Sequence, residues 1–223
     1  MHIVALVAEK GGVGKTTLAL DLAVTAVHKG HKAAVIDVDP QATASKWTDR
    51  RSGEDPWVVP THAARISAAI DQAKAQGVDL VVIDTPPHSA ADATEAAQRA
   101  DLVLLPVEPH MFSLETVEKQ ATLLKLAGQP PAFYVVNKAP IRGNEGASAV
   151  EYIKGQGFSV CPAVLHSRAA HRHAGNLGKT AAEYQPGGKA AEEALQIYSY
   201  TMKLLNSKER KTHAKAEPPH ARP

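Results

Sequence analysis

Eight consecutive residues, Lys10-Gly-Gly-Val-Gly-Lys-Thr-Thr17, combine three glycines, two lysines and two hydroxyls. Such a set can hold a chain of phosphates. Glycine lets backbone N–H groups turn inward and approach phosphate oxygens closely. Gly11, Gly12, Val13 and Gly14 would supply those amides, and Thr17 follows in the first helical turn, whose dipole adds positive potential. Lys15 can reach the β- and γ-phosphates, and the Thr16 hydroxyl can ligate Mg2+. Asp84 closes the apolar run Leu80-Val-Val-Ile83. An acid there is costly unless it meets a cation or hydrogen-bond donors. Holding Mg2+ meets that need, and capping a helix is the alternative. Asp37 and Asp39 end another apolar run, and two carboxylates so close suit a metal and a water, although Asp39-Pro40 is also a good turn starter. Asn137 follows Tyr134-Val-Val136, where its amide can offer both donor and acceptor to an adenine edge, or form a turn before Lys138-Ala-Pro140.

These residues must be brought together by the elements that carry them. Apolar runs predict strands at 3–8, 33–37, 57–59, 80–84, 102–106, 132–137 and 160–165. Helical periodicity predicts helices at 16–28, 66–76, 91–100, 114–127, 147–155 and 190–205. In the fourth of these, Leu114, Val117, Ala121 and Leu124 form one stripe, and in the last, Ala190, Ala194, Ile197, Thr201 and Leu204 share a face. Strands alternating with helices imply an α/β fold, a single domain with a mostly parallel, doubly wound sheet flanked by helices. Continuous apolar strands agree, because parallel strands are covered on both faces. Ligands in such sheets bind at the carboxyl ends of the strands, where the candidate residues fall.

Composition narrows the classes. A chain of 223 residues with 44% hydrophobic and only 4% aromatic residues must fill its core with Ala, Val, Leu and Ile. The absence of a membrane-length apolar run, and of a basic flank at the N-terminus, leads us to expect a cytoplasmic protein. The single Cys161 cannot form an internal disulfide or build a zinc or iron–sulfur site alone. The formal charge is +2, and five basic against two acidic residues lie between Ser207 and Pro223. We therefore expect an ATPase-sized domain over 1–206 and a basic, Pro-containing, disordered tail over 207–223, either solubilising or touching a polyanion.

The general phosphate-loop pattern would need glycine at position 9, where Glu9 stands, and Lys10 instead precedes the double glycine. That variant resembles the deviant Walker A ATPases of the ParA/MinD family. The likeness continues through Asp37-Val-Asp-Pro-Gln41, Val81-Val-Ile-Asp-Thr-Pro-Pro87, Leu105-Pro-Val-Glu-Pro109, Val135-Val-Asn137 and Glu183-Tyr-Gln-Pro-Gly-Gly-Lys-Ala190. It implies a P-loop fold and an enzyme that hydrolyses ATP with Mg2+. It also implies a homodimer closed by ATP, in which Lys10 reaches the partner's nucleotide. By resemblance Lys10, Lys15 and Asp39 are the catalytic set, with Asp39 positioning the attacking water. Thr16, Asp37 and Asp84 would hold the metal, and Asn137 would meet the adenine.

His166, His171 and His173 alternate with Arg168 and Arg172, without an acidic or cysteine partner nearby in sequence, so a basic loop is expected rather than a metal site. The family uses basic residues in this region to touch double-stranded DNA without reading sequence. Arg168, Arg172 and Lys203 are the candidates, a solvated surface or a nucleotide-edge contact being the alternatives. The resemblance is to small ParA-type partition ATPases without an N-terminal helix-turn-helix domain. It implies a nucleoid-associated protein with a ParB-like centromere-binding or cargo adaptor, and no membrane partner, since the C-terminal residues include no large apolar side chain to insert. Plasmid partition is the expected role. Positioning of a chromosome, a carboxysome or a chemoreceptor cluster shares the same motifs, and a metabolic enzyme of the dethiobiotin-synthetase type or an ATP-dependent polymer are the competing classes.

Overall fold

The structure, a computed structural model, describes residues 1–216. Six strands form one sheet: β1 (His2–Leu6), β2 (Ala33–Asp37), β3 (Trp57–Pro60), β4 (Leu80–Asp84), β5 (Leu102–Val107) and β6 (Ala132–Val136). Their order is β3-β2-β4-β1-β5-β6, and every pairing is parallel. β1 thus lies inside the sheet, with β4 on one side and β5 on the other. The register sets Leu6 opposite Asp84 and Asp37 opposite Asp84, so the two acids leave neighbouring strands at the same height.

Alternate residues of each strand enter opposite cores, as the two-residue side-chain period requires. Val4, Leu6, Val35, Val82, Leu104 and Val135 face one core, packed under α1 (Lys15–His28), α2 (Thr43–Thr48) and α10 (Lys189–Ala216). Ala5, Val7, Ile36, Val81, Ile83, Val103 and Tyr134 face the other, under α3 (Ile66–Ala75), α4 (Ala90–Arg99), α6 (Val117–Leu126) and α7 (Glu145–Gly155). With few aromatics available, burial comes from many small contacts, each methylene contributing about 0.8 kcal/mol.

The structure departs from the sequence reading in four places. The helix expected over 114–127 is two, α5 (Met111–Leu114) and α6, because the Thr116 hydroxyl turns back to the Ser113 carbonyl at 2.7 Å. Residues 160–165 form no strand and make one isolated bridge, Val160 to Tyr134, with a second just beyond them, His166 to Ala139. Pro162, which lacks an N–H, interrupts that run. Three short helices were not foreseen: α2, α8 (Ala169–Asn176) and α9 (Ala181–Tyr184). The last helix extends past 205 to Ala216, so the segment read as a tail begins as helix, and residues 217–223 lie outside those described.

α2 and α9 are tied together by charge. Arg51 pairs with Glu183 at 2.7 Å and stacks 4.7 Å from the Trp47 ring. Beneath this pair, in the middle of α1, the buried Asp21 has one carboxylate oxygen without a hydrogen bond, 3.6 Å from His171 Nδ1. Burial, reinforced by the Glu183 charge, pushes its carboxyl up to about 8, against the pull of the Ala181 N–H. Folded Asp21 therefore keeps its proton where the unfolded chain has lost it. Stability from this group is intact below about pH 4 and falls as pH rises toward 8. Asp21→Asn is expected to flatten that slope and to stabilise the fold at pH 8 by about 1 kcal/mol or more, with little gain at pH 4. Urea denaturation at the two pH values checks this, and equal effects at both would refute a buried titrating acid.

Candidate nucleotide-binding site

The loop after β1 opens directly into α1, and its shape is held by side chains that take its carbonyls. Asn137 Nδ2 donates to the Val13 carbonyl at 2.7 Å, Lys138 Nζ donates to the Gly12 carbonyl, and Lys15 Nζ donates to the Lys10 carbonyl at 3.4 Å. A peptide's N–H points opposite to its C=O, so the amides that follow these carbonyls, on Gly11, Val13 and Gly14, face the other way. Gly14 is left-handed, with φ 91°, and a Cβ there would collide with the Asn137 amide. Only glycine meets both demands.

The chemistry gathers at the carboxyl ends of β1, β2 and β4. Lys15 is buried, and desolvation lowers its pKa while Asp84 and then Asp39 pull it back up. Asp84 is 1% exposed, and neither carboxylate oxygen has a hydrogen-bond partner. Its carboxyl is raised to about 7, first by burial, with Asp37 and Asp39 adding repulsion and the Thr16 hydroxyl and Lys15 opposing it. Asp37 is equally buried but satisfied: Oδ2 accepts from the Ser45 N–H and hydroxyl, each at 3.1 Å, and Oδ1 from the Asp39 N–H at 3.3 Å. Burial still raises its pKa. Asp39 is less buried and accepts from the Gln41 N–H at 2.9 Å. A hard cation is what this set lacks chemically. Two buried oxygens on Asp84 beside a threonine hydroxyl fit Mg2+, which takes oxygen ligands and keeps several waters.

Beside Gly14, Thr17 and Leu18 lies a cavity of about 330 Å³, whose far walls are His166, Arg168, His171 and Arg172. Asn137 and Lys138 also line it. A nucleoside attached to phosphates on the loop would enter this space.

The sequence-predicted residues Gly11 to Thr17, Asp37, Asp39 and Asp84 therefore converge on one site. Asn137 also belongs to it, but both of its polar groups are engaged by backbone: Nδ2 by Val13, and Oδ1 by the Lys138 N–H at 2.8 Å. Its observed work is to brace the loop. Lys10 sits at the loop's outer edge, with its ammonium on the Phe112 carbonyl and 5.8 Å from the Phe112 ring centroid. The three cations expected on DNA separate. Arg168 is paired with Glu193 at 2.6 Å and lines the cavity. Arg172 is exposed at the cavity mouth, and Lys203 is exposed on α10. Sequence reasoning missed Lys138, Phe112 and Glu193, whose roles depend on neighbours 25 or more residues away; only the adjacency of Lys138 to Asn137 offered a signal.

Comparison with known proteins follows the same lines. The family described as the CobQ/CobB/MinD/ParA nucleotide binding domain matches residues 4–181. A protein from Gloeobacter kilaueensis, maintenance of carboxysome distribution protein A, is 28% identical over 213 residues, spanning 94% of this chain and 96% of its own. The septum site-determining protein MinD of Pyrococcus horikoshii, solved with Mg-ADP, superposes with a TM-score of 0.73 at 20% identity, covering 91% and 96% of the two chains. A putative plasmid partition protein of Borrelia burgdorferi bound to AMPPNP gives 0.69 at 17% identity, covering 91% and 98%.

The unpartnered Asp84 yields a direct test. At pH 8, Asp84→Asn removes a buried charge and is expected to stabilise the ligand-free protein by about 1–2 kcal/mol. It should also cancel the extra stabilisation that Mg2+ adds to ATP. Thermal unfolding with EDTA, with ATP and EDTA, and with Mg-ATP measures both effects. A variant still stabilised by Mg-ATP beyond ATP alone would remove Asp84 from the metal site.

Proposed function

The chain belongs to the CobQ/CobB/MinD/ParA nucleotide-binding family, and from that premise we propose that it is an ATP hydrolase using Mg2+, a ParA-like positioning ATPase serving plasmid partition. The observation that carries this reading is the division of labour between two lysines. Lys15 is buried inside its own loop, whereas Lys10 lies at the outer edge and turns away toward Phe112. A cation so placed is free to serve a second protomer docked on that face. Two protomers, each lending Lys10 to the other's triphosphate, would form an ATP-dependent sandwich dimer. Charge placed where charge develops is worth most in a site from which water is excluded.

Within each protomer the loop amides and Lys15 grip the phosphates. Thr16 and Asp84 would hold Mg2+, with Asp37 behind them; the ion supplies charge neutralisation of the β- and γ-oxygens. Asp39, more open than Asp37, would orient the attacking water. DNA binding is assigned to exposed cations, Arg172 and Lys203, acting on phosphates of duplex DNA irrespective of sequence. A ParB-like adaptor on the cargo would stimulate hydrolysis and release, with the ATPase itself cytoplasmic and on the nucleoid. Among the described residues no helix is long and apolar enough to cross a membrane. A second cargo, the carboxysome, is favoured by the full-length similarity to the Gloeobacter distribution protein.

Lys10→Ala is expected to bind ATP nearly normally but to remain monomeric. Gel filtration with a slowly hydrolysed ATP analogue reads this, and a normal dimer peak would refute the trans-acting lysine.

DNA binding should require ATP, ignore sequence and weaken steeply with salt, because phosphate contacts release counterions. Arg172→Glu with Lys203→Glu should weaken it at least tenfold, and Lys203→Glu alone, away from the nucleotide cavity, should weaken it measurably with basal hydrolysis retained. Mobility shifts of a random duplex with ATP, ADP and no nucleotide, at two salt concentrations, decide the matter. Equal binding in all three states would break the switch, and no binding in any would favour a metabolic enzyme.

A further inference from the structure

The base end of the cavity is organised by one residue on a distant helix. Glu193, 9% exposed on α10, accepts four hydrogen bonds. Oε2 takes the His166 backbone N–H at 3.0 Å, and Oε1 takes His166 Nδ1 at 2.8 Å. The same Oε1 also takes Arg168 Nε at 3.0 Å and Nη2 at 2.6 Å. Burial alone would raise its carboxyl, yet Arg168 and His166 hold it below the usual range, so it is a carboxylate and can only accept. The proton facing it must therefore sit on Nδ1 of His166. In the neutral ring that leaves Nε2 as an acceptor. His166 and Arg168 both line the cavity beside the phosphate loop.

We propose that Glu193 is the positioning residue that makes this pocket select adenine over guanine, through His166 as the base-contacting group. Adenine presents an exocyclic amino donor where guanine presents the O6 acceptor. In the neutral ring, with Nδ1–H on Glu193, His166 Nε2 can receive the adenine amino group and meets guanine O6 lone pair to lone pair. Arg168 would reverse that preference if free, since a guanidinium is a good partner for guanine O6 and N7. Glu193 holds two of its three nitrogens. One carboxylate thus supplies the acceptor that adenine needs and occupies the side-on Nε/Nη2 pair of donors, one of the two edges that guanine could use. This rests on the reading that the cavity takes the nucleoside, and it is independent of dimerisation, DNA and cargo.

Calorimetric titration of the full chain with Mg-ATP, Mg-GTP and Mg-tripolyphosphate separates the base from the phosphates. His166→Ala should weaken ATP by about tenfold, one hydrogen bond's worth, and leave GTP within about twofold. Glu193→Gln places an amide against donors, frees Arg168 and unlocks the tautomer. ATP should weaken by about threefold to tenfold and GTP should tighten. Tripolyphosphate, which fills only the loop, should bind both variants as it binds the wild type. An equal loss of ATP and GTP in both variants would overturn the proposal, as would unchanged selectivity. A parallel loss of tripolyphosphate would show that Glu193 merely supports the fold. If the wild type held ATP no tighter than tripolyphosphate, the cavity would not be the base site at all.

Discussion

A phosphate loop works because its amides face inward, and peptide dipoles do not choose that direction unaided. Here the carbonyls are held outward by side chains from the far end of the sheet: Asn137 and Lys138, which follow β6, take Val13 and Gly12. The β6 register, fixed by pairing Val107 with Val136 on β5, delivers Asn137 at the right height. Its own N–H bonds back to the Val107 carbonyl at 2.8 Å. Sheet order, strand register and the glycine at position 14 are therefore conditions of one local geometry. Preorganisation of this kind costs nothing further when ligand arrives, and for that reason it contributes to binding.

The second constraint is charge. Asp84, Asp37 and Asp39 crowd around a single buried ammonium, Lys15. Asp37 is reconciled to burial by the amide and hydroxyl of Ser45 at the start of α2, so that short helix is part of the site's electrostatics. Asp84 has less relief, since only the nearby Thr16 hydroxyl and Lys15 oppose its rise. Left to itself a buried carboxylate escapes by taking a proton, and its rise to about 7 reflects that pressure. A divalent ion inverts the balance, because its charge exceeds any other local charge. Mg2+ and triphosphate bound together would offset the charge that Asp84 and its neighbours gather here.

Much of this was legible in the sequence where local chemistry and position coincide. Gly14, Lys15, Thr16 and Asp84 announce themselves, since an acid after four apolar strand residues or a lysine after a glycine run has few uses. The buried strands were equally plain, because parallel strands read as uninterrupted apolar runs. What stayed hidden depends on tertiary neighbours. The stripe across 114–127 gave no hint of the Thr116 turn that splits α5 from α6. Residues 160–165 are apolar enough for a strand, but Pro162 stands among them and they bridge β6 at one residue only. Asn137 carried the right amide for a base edge, and only the structure shows that the loop takes it first. Arg168 looked like a free cation because Glu193 lies on another helix, 25 residues on.

Placing Lys203 on α10 bears on how a nucleotide switch could reach DNA. α10 packs through Ile197, Tyr198 and Leu205 into the same core as Leu18 and Leu22 of α1, the helix that begins at the phosphate loop. Close-packed interiors of this kind are not continuously deformable. Within one protomer this shared packing would give nucleotide little leverage to re-aim the exposed cations on α10. Joining two such surfaces is a different matter. Tethering a second set of phosphate contacts turns its binding into an intramolecular step, which raises affinity through effective concentration without any new contact type. On the proposed reading, ATP would need to change only whether Lys10, at the loop's outer edge, rests on its own Phe112 or on a neighbour's phosphates, and a dependence of DNA affinity on nucleotide would follow from pairing alone.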